Sequence, residues 1–469
     1  MMSMKKEQLK DYHLFSHNNE YYLLNIDDMT SFNIDKEEYE ILNKIKGKPF
    51  NRETYGDLYI YLSLLNLING KSNIRKFPAA FPVINIMLNI TQDCNLNCRY
   101  CYGVGGEYGS KGYMSRETAC KSVDWLISES GHMKNLTITF FGGEPLLNFT
   151  LIEEVINYGK AKKGEKNITF GIVTNGTILN DEIIKFLKKH NIRVNVSFDA
   201  LPLLQNHYRP FKNGGDSYEI VRKNISKLIA SGVENINITS MVTDENINFK
   251  EVRDALINTG CRTMGIHSPS PPMLKSNEAE NIEIFNKIKS GKVKKYTERL
   301  ILSIEEEGRD WLSSIKERNL FHSKLFSDII KRLFTGKKRE YFCMAGKKMV
   351  NIAISGDIYP CHRFNGLNHM KMGHIENFNA KSQKRYIENH ISGISECSIC
   401  QARYFCGGGC IYDNLVVEGS IDKPYGVWCD MMKKAVELGV VIHHQLNEND
   451  KDYLKRIISE SGSGVGFYR

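Results

Sequence analysis

Cys94, Cys98 and Cys101 stand at a C-x3-C-x2-C spacing, and three thiols so placed in one loop can converge on a corner of a cubane. An iron-sulfur cluster is normally held by four thiolates, so three leave one iron open to an outside ligand. The apolar run over residues 83–90 reads as a buried strand feeding that loop, and the Asn and Asp residues that follow mark the loop itself. A zinc knuckle or a disulfide hairpin would be the competing chemistry. Zinc favours paired C-x2-C hooks with four ligands, and disulfides do not suit a reducing interior, so the spacing favours a cluster.

A second block carries Cys343, Cys361, Cys397, Cys400, Cys406, Cys410 and Cys429. Gly356 to Cys361 is a G-x4-C, and Cys397 to Cys410 is C-x2-C-x5-C-x3-C. Seven thiols cannot all serve one metal ion, whereas two clusters take them naturally. A pair of zinc sites is the alternative. The remaining two, Cys120 in the middle of a helical pattern and Cys261 beside a turn, read as core residues.

Polar motifs that a core does not need follow three strand patterns. Gly142-Gly143-Glu144-Pro145 directly follows Phe141; its glycines allow close backbone approach to a ligand, and Glu144 can accept hydrogen bonds from an ammonium group. Thr174 and Asn175 end the next pattern, Ser197 and Asp199 the one after, and Arg209 follows in the loop. A plain β-turn for the first and structural caps for the others are the competing readings.

The elements that must position these groups alternate. Residues 83–90, 138–141, 168–174, 194–198 and 236–242 read as strands, with helical patterns at 115–129, 181–189, 218–231 and 250–259 between them. Repeated β-α units of this kind indicate a parallel sheet in an α/β fold. Ahead of it, residues 21–26 and 30–34 read as short strands and 36–45 and 53–68 as helices. After Pro269-Ser270-Pro271-Pro272, a break, the chain to Tyr341 is helical and strongly charged, a connector suited to covering the mouth of the α/β unit. The ending from Ser461 is Gly-rich and reads as mobile.

At 469 residues the chain can hold two or three domains, and its 41% apolar and 25% charged content is that of an ordinary soluble protein. The net charge of +9 is spread along the chain in runs that suit a solvated surface or the docking of an acidic peptide, and no interleaving of aromatic and basic residues argues for nucleic acid. Neither a signal peptide nor a membrane-spanning run is expected, and twelve cysteines in such a chain point to metal or redox chemistry. The expected setting is the cytoplasm of an anaerobic or low-oxygen cell.

The first cysteine loop, with Tyr100 in its aromatic slot, resembles the signature of the radical S-adenosylmethionine (SAM) superfamily, and the second block resembles its SPASM extension. The resemblance covers residues 83–445. It implies a partial (β/α)6 barrel over 83–268 and a helical connector over 269–342. It further implies a SPASM auxiliary-cluster domain over 343–445, followed by a tail over 446–469. Residues 1–75 are similar to the winged-helix-like recognition element that binds a leader peptide as an added strand in enzymes modifying ribosomal peptides; a packing cap on the barrel is the bland alternative.

Three [4Fe-4S] clusters and SAM are implied: one cluster on Cys94, Cys98 and Cys101, whose open iron chelates SAM, an outer one on Cys397, Cys400, Cys406 and Cys429, and an inner one on Cys343, Cys361 and Cys410. An electron cleaves SAM to methionine and a 5′-deoxyadenosyl radical that takes hydrogen from the substrate. By the same resemblance Gly142, Gly143, Glu144 and Pro145 meet the SAM amino group, Thr174, Asn175, Ser197 and Asp199 face its ribose and carboxylate, and Arg209 pairs the carboxylate. No catalytic side chain is assigned.

The inner set is a ligand short, and His362 stands where sulfatase-maturing relatives carry Asp. The stretches around Cys343, Cys361 and Cys400 are similar to maturases of Cys-rich ribosomal peptides of the SCIFF or ranthipeptide type. They imply thioether cross-linking of a precursor peptide, with a flavodoxin or ferredoxin as electron donor. Sulfatase maturation, carbon-carbon cross-linking and epimerisation share the radical step, and a non-catalytic electron carrier is the reading of a different class.

Overall fold

Asn18 and Asn19 both sit at positive φ, 50° and 63°, the conformation a two-residue hairpin turn demands. They join β1 (Tyr12–His17) to β2 (Glu20–Asn25), and β3 (Thr30–Ile34) pairs β2 on its other side. The first of these strands was not expected from the sequence. Helix Lys36–Ile45 follows, opened by a capping box in which Asp35 and Glu38 satisfy each other's backbone N–H groups, and then helix Arg52–Leu64. The computed structural model describes residues 9–48, 52–68, 77–241, 249–261, 263–267, 292–318 and 323–460. The expected break at Pro269 and the Gly-rich ending from Ser461 lie outside them.

The main body is one twisted sheet. In chain order its strands are β4 (Asn85–Gln92), β5 (Gly112–Tyr113), β6 (Asn135–Gly142), β7 (Asn167–Thr174), β8 (Arg193–Ser197), β9 (Ile236–Met241) and β10 (Thr263–His267). Next come β11 (Met349–Ile352), β12 (Asp357–Tyr359) and β13 (Gly373–His374). Across the sheet the order is β10-β9-β8-β7-β6-β4-β11-β12-β13, with β5 folded antiparallel onto β4.

From β10 to β11 every neighbouring pair is parallel. The six strands β4 and β6 to β10 form the partial barrel, and β10 supplies the sixth strand. Helices return the chain between them and bury Val123, Leu126, Val155, Ile156 and Leu187 against Ile86, Leu88, Ile138, Phe140 and Phe170. Ser115 and Asn180 start two of these helices as side-chain caps, accepting from Thr118 and Ile183 N–H.

The cysteine-rich C-terminal region joins the main sheet: β11 pairs β4 in parallel, from Met349 opposite Asn85 to Ile352 opposite Leu88, and covers an edge that would otherwise be open. The described part of the connector, helices Lys292–Lys316 and Lys324–Thr335, packs against helix Gly426–Gln445. Gly439 makes this possible, because a Cβ there would meet Ile329 Cγ2 at 2.4 Å.

Trp311, Phe326 and Ile330 of the connector, Phe405 and Ala435 of the C-terminal region, and Phe15, Tyr22, Leu24 and Met29 of the N-terminal unit share one core. The N-terminal unit therefore rests on the C-terminal region. Residues 446–469, expected as a tail, begin instead with helix Glu448–Glu460, which buries Leu454. No described helix is long and apolar enough to cross a membrane.

Candidate active site: three cysteine groups and the loops that hold them

β4 ends in Gln92, and the chain turns at once into the loop bearing Cys94, Cys98 and Cys101. Cys101 N–H bonds Cys98 C=O at 3.1 Å, which winds the loop tightly. The loop is clamped by its neighbour: Gly143 N–H reaches Thr91 C=O at 3.0 Å and Glu144 N–H reaches Asp93 C=O at 2.9 Å. Such contact needs glycine. A Cβ on Gly142, whose φ is 134°, would lie 1.9 Å from Thr91 O, and one on Gly143 would lie 2.1 Å from Asp93 O. The expected motif and cysteine loop are thus brought together by backbone.

Glu144 and Asp199 are more internal than expected. Glu144 is fully buried and accepts three hydrogen bonds: from Thr174 Oγ1 at 2.8 Å, Asn175 N at 2.6 Å and Leu146 N at 3.0 Å. Burial pushes its carboxyl up to about 7, against the pull of those donors. Pro145 opens the short helix behind it. Asp199, also fully buried, accepts from Met241 N at 2.9 Å, from Tyr100 Oη, and from Arg209 Nε at 3.0 Å.

Arg209, expected to pair a ligand carboxylate, thus spends its Nε on Asp199 and stacks over the Tyr100 ring at 5.2 Å. The reason is general: a carboxylate taken out of water must find donors, and these two find them within the chain. Those bonds tie the strand ends to one another beside the loop. Ser197 ends β8 at the same level, and Asn175 donates to Asn95 Oδ1 at 2.8 Å and to Cys94 Sγ at 3.7 Å.

The twelve cysteines are free thiols and separate into groups by mutual influence. Cys94 is pushed up to about 12 by burial, then by Glu144 and the other two thiols of the trio, and Cys98 up to about 11 by burial, with Arg209 pulling down and Cys101 adding to the rise. Cys361 is raised by burial and then by Cys410 and Cys343; Cys410 is pushed up to about 12 by burial, with Asp413 and Cys343 adding to it. Cys397 and Cys429 reach about 12 through burial and through repulsion within the set completed by Cys400 and Cys406.

Among the described residues no trio of His, Cys, Asp or Glu is set for a single metal ion. The all-thiol groups of three, three and four that the resemblance implies would be the chemistry that iron-sulfur clusters use. Burial and mutual repulsion both disfavour the thiolates, and bound iron cations would offset both. The cysteines also carry the polar neighbours such clusters take: Trp428 Nε1 donates to Cys406 Sγ at 3.2 Å and Arg363 Nη1 to Cys410 Sγ at 3.7 Å. The residues present fit the group.

Several side chains here were not singled out by sequence. Arg363 lies between the Tyr102 and Tyr412 rings, 5.9 and 5.8 Å from their centroids, and so ties the first cysteine loop to the inner set. Its neighbour His362 points to the barrel side, 3.0 Å from Met87 Sδ and 4.5 Å from the Phe141 ring centroid. Burial, then Arg363, keeps that imidazole well below its usual range. Lys347 is buried four residues after Cys343; burial pulls it down to about 8, with Cys343 pulling the other way. The only sequence signal for Arg363 and Lys347 was closeness to a cysteine.

The family model of the radical SAM superfamily matches residues 88–256. An uncharacterised protein of Methanocaldococcus jannaschii is 32% identical over 254 residues, 52% of this chain and 83% of that one. The radical SAM cyclopropyl synthase TigE of Paramaledivibacter caminithermalis is 25% identical over 470 residues, 91% of this chain and 92% of its own length. The solved structure of native anSMEcpe with bound AdoMet shares the fold, with a TM-score of 0.64 at 18% identity over 80% of this chain and 99% of that one. The chain belongs to the radical SAM superfamily. It is an enzyme, its barrel carries the SAM-cluster loop, and the cysteine-rich region is built onto the barrel's own sheet.

Proposed function

We propose that this enzyme matures a ribosomally made precursor peptide by closing a thioether between a Cys sulfur of that peptide and a carbon of another residue. The carrying observation is the inner trio Cys343, Cys361 and Cys410. In this reading the ten cysteines other than Cys120 and Cys261 divide into groups of three, three and four, and Cys261 is bonded instead to Ile236 C=O at 3.5 Å. A cluster on the inner trio is left open to a thiolate from the substrate. When bound, the barrel cluster and SAM supply a 5′-deoxyadenosyl radical that removes one hydrogen atom from the acceptor carbon.

The chain's residues do the rest. Glu144, Thr174, Asn175, Asp199 and Arg209 hold the strand ends around the cluster loop, and Gly142 and Gly143 leave backbone at the surface where the SAM amino group would sit. His362, Phe141 and Tyr102 line the way from this loop to the inner trio. The leader of the precursor would add to β3, which pairs only β2 among the described residues, in the manner of peptides that extend a sheet edge.

A second reading rests on one relative. Similarity to TigE runs almost end to end, and its name describes cyclopropyl synthesis. Joining two carbons of one residue also removes two hydrogens, but consumes no thiol. To test peptide maturation itself, the enzyme is incubated anaerobically with SAM, a one-electron reductant and the peptide encoded beside it. Formation of 5′-deoxyadenosine should rise with the peptide and be abolished when Cys94, Cys98 and Cys101 are all Ala. Turnover indifferent to the peptide would count against it.

A further inference from the structure

The inner cysteine trio is bordered by two buried cations. Lys347, 2% exposed, points its Nζ at two backbone carbonyls, Ala345 at 3.2 Å and Tyr386 at 3.3 Å, and lies 4.5 Å from the Tyr341 ring centroid. Gly346 packs its backbone on the Tyr386 ring beside it, so the turn that holds the ammonium has little room to move. Arg363, 6% exposed, sits 3.7 Å from Cys410 Sγ and 3.2 Å from Asp413 Oδ1.

Burying an ammonium is expensive, and an aliphatic chain would fill the same space at less cost. A buried charge that packing does not need is a candidate for electrostatic work. Arg363 is offset by Asp413, so the cation beside the inner trio that no carboxylate among the described residues pairs is Lys347, whose Nζ meets carbonyls; the outer set is balanced differently. Arg403 is met by Asp11 and Asp27, Lys433 by Asp430, and the Glu396 charge bears on Cys397.

We propose that Lys347 and Arg363 are positioning residues for electron transfer, Lys347 adding a positive charge and Arg363 offsetting that of Asp413, so that the inner cluster is easier to reduce than the outer one and is the first acceptor during the reaction. This rests on the reading of Cys343, Cys361 and Cys410 as cluster ligands. Accepting an electron adds one negative charge to a cluster, and a fixed cation in a low-dielectric interior favours the more negative form. Closing a carbon-sulfur bond between a carbon radical and a thiolate releases one electron. That electron would enter the inner cluster and leave to an external one-electron carrier protein. The thiol proton passes to solvent or a base before the bond closes, so charge and atoms balance.

The test is a redox titration of the anaerobically reconstituted full-length enzyme, followed by electron paramagnetic resonance, with iron and sulfide counted for each variant. Lys347→Met keeps length and packing but removes the charge, Arg363→Gln removes the other, and Lys347→Arg retains it. The inner-cluster midpoint should move to more negative potential in K347M and in R363Q and stay near its starting value in K347R, while the outer and barrel midpoints do not move. Loss of inner iron in K347M would leave R363Q to decide. Inner midpoints unmoved in a charge-removing variant that retains its full iron would overturn the proposal. Separately, iron unchanged after Cys343, Cys361 and Cys410 are replaced by Ala would overturn the ligand reading on which it stands.

Discussion

Arg403 Nη2 lies 2.7 Å from Asp11 Oδ2, joining the loop between Cys400 and Cys406 to the segment entering β1. Asp27 Oδ1 stands 3.2 Å from the same nitrogen, His13 Nε2 is 2.9 Å from Glu437, and His444 Nε2 is 3.1 Å from Ser31 Oγ. The N-terminal unit is thus fastened to the loop and helix that carry the outer cysteines. The asymmetry of burial sets a prediction: Arg403 is 6% exposed and Asp11 61%. Asp11→Asn with Asp27→Asn strands a buried cation and should cost on the order of 1–3 kcal/mol, whereas Arg403→Met leaves only wetter carboxylates and should cost less. Limited proteolysis of the N-terminal unit, at equal protein and protease, should rank the variants in that order.

Asp199 and Arg209 form a pair with almost no solvent contact, 0% and 8% exposed at the side chain. Breaking one partner of such a pair leaves an uncompensated charge, at about 3–5 kcal/mol. Asp199→Asn should lower the apparent thermal midpoint sharply and release Tyr100 beside Cys98. Asp199→Asn with Arg209→Met should recover part of the loss. An Asp199→Asn midpoint equal to the unaltered enzyme's would show that the pair is not coupled to the fold.

Gly142 and Gly143 let the motif touch the cysteine loop backbone to backbone. Gly143→Ala drives a methyl into Asp93 C=O and should separate the two loops, leaving the sheet intact. The expected outcome is retained far-ultraviolet circular dichroism with loss of roughly a third of the iron, the share of one cluster in the proposed three. Full iron in that variant would mean the loops can part without losing the cluster.

His443 gives a pH dependence away from every cysteine. Burial, then His444 and Lys451, holds its imidazole down to about 4, with Glu448 acting the other way. Between the usual 6.5 and about 4 the unfolded chain takes up a proton that the folded chain refuses, so stability is full above that window and falls as pH falls through it. Apparent melting midpoints measured from pH 7.5 to 4.5 should fall on the acid side, and His443→Gln should flatten part of that slope.

The parts legible in sequence were those with fixed spacing or fixed period. The C-x3-C-x2-C loop, the Gly142-Gly143-Glu144-Pro145 turn and the β-α alternation each follow from local chemistry, and the structure places them together. What escaped were pairings across long separations. Strand β1 depends on an Asn18-Asn19 turn whose signal is weaker than Asn-Gly. The addition of β11 to β4 joins residues some hundreds of positions apart. For Glu144 and Asp199 a sequence shows a carboxylate's identity but not the donors that Thr174, Asn175 and Met241 bring to it. Lys347 has no motif at all; its burial depends on Tyr341 and Tyr386 closing around it.

The most direct measurement is the mass of a precursor peptide co-expressed with this enzyme, alkylated with iodoacetamide and fragmented. The account predicts a product two hydrogens lighter for each link, with one Cys per link no longer alkylated and the fragments between the joined residues missing. The same mass loss with every Cys alkylated would contradict the thioether; a hydrazine-reactive aldehyde would then indicate formylglycine, and an inert product a carbon-carbon bond. An unchanged mass with inverted stereocentres would indicate epimerisation, and an unchanged peptide would contradict peptide maturation altogether.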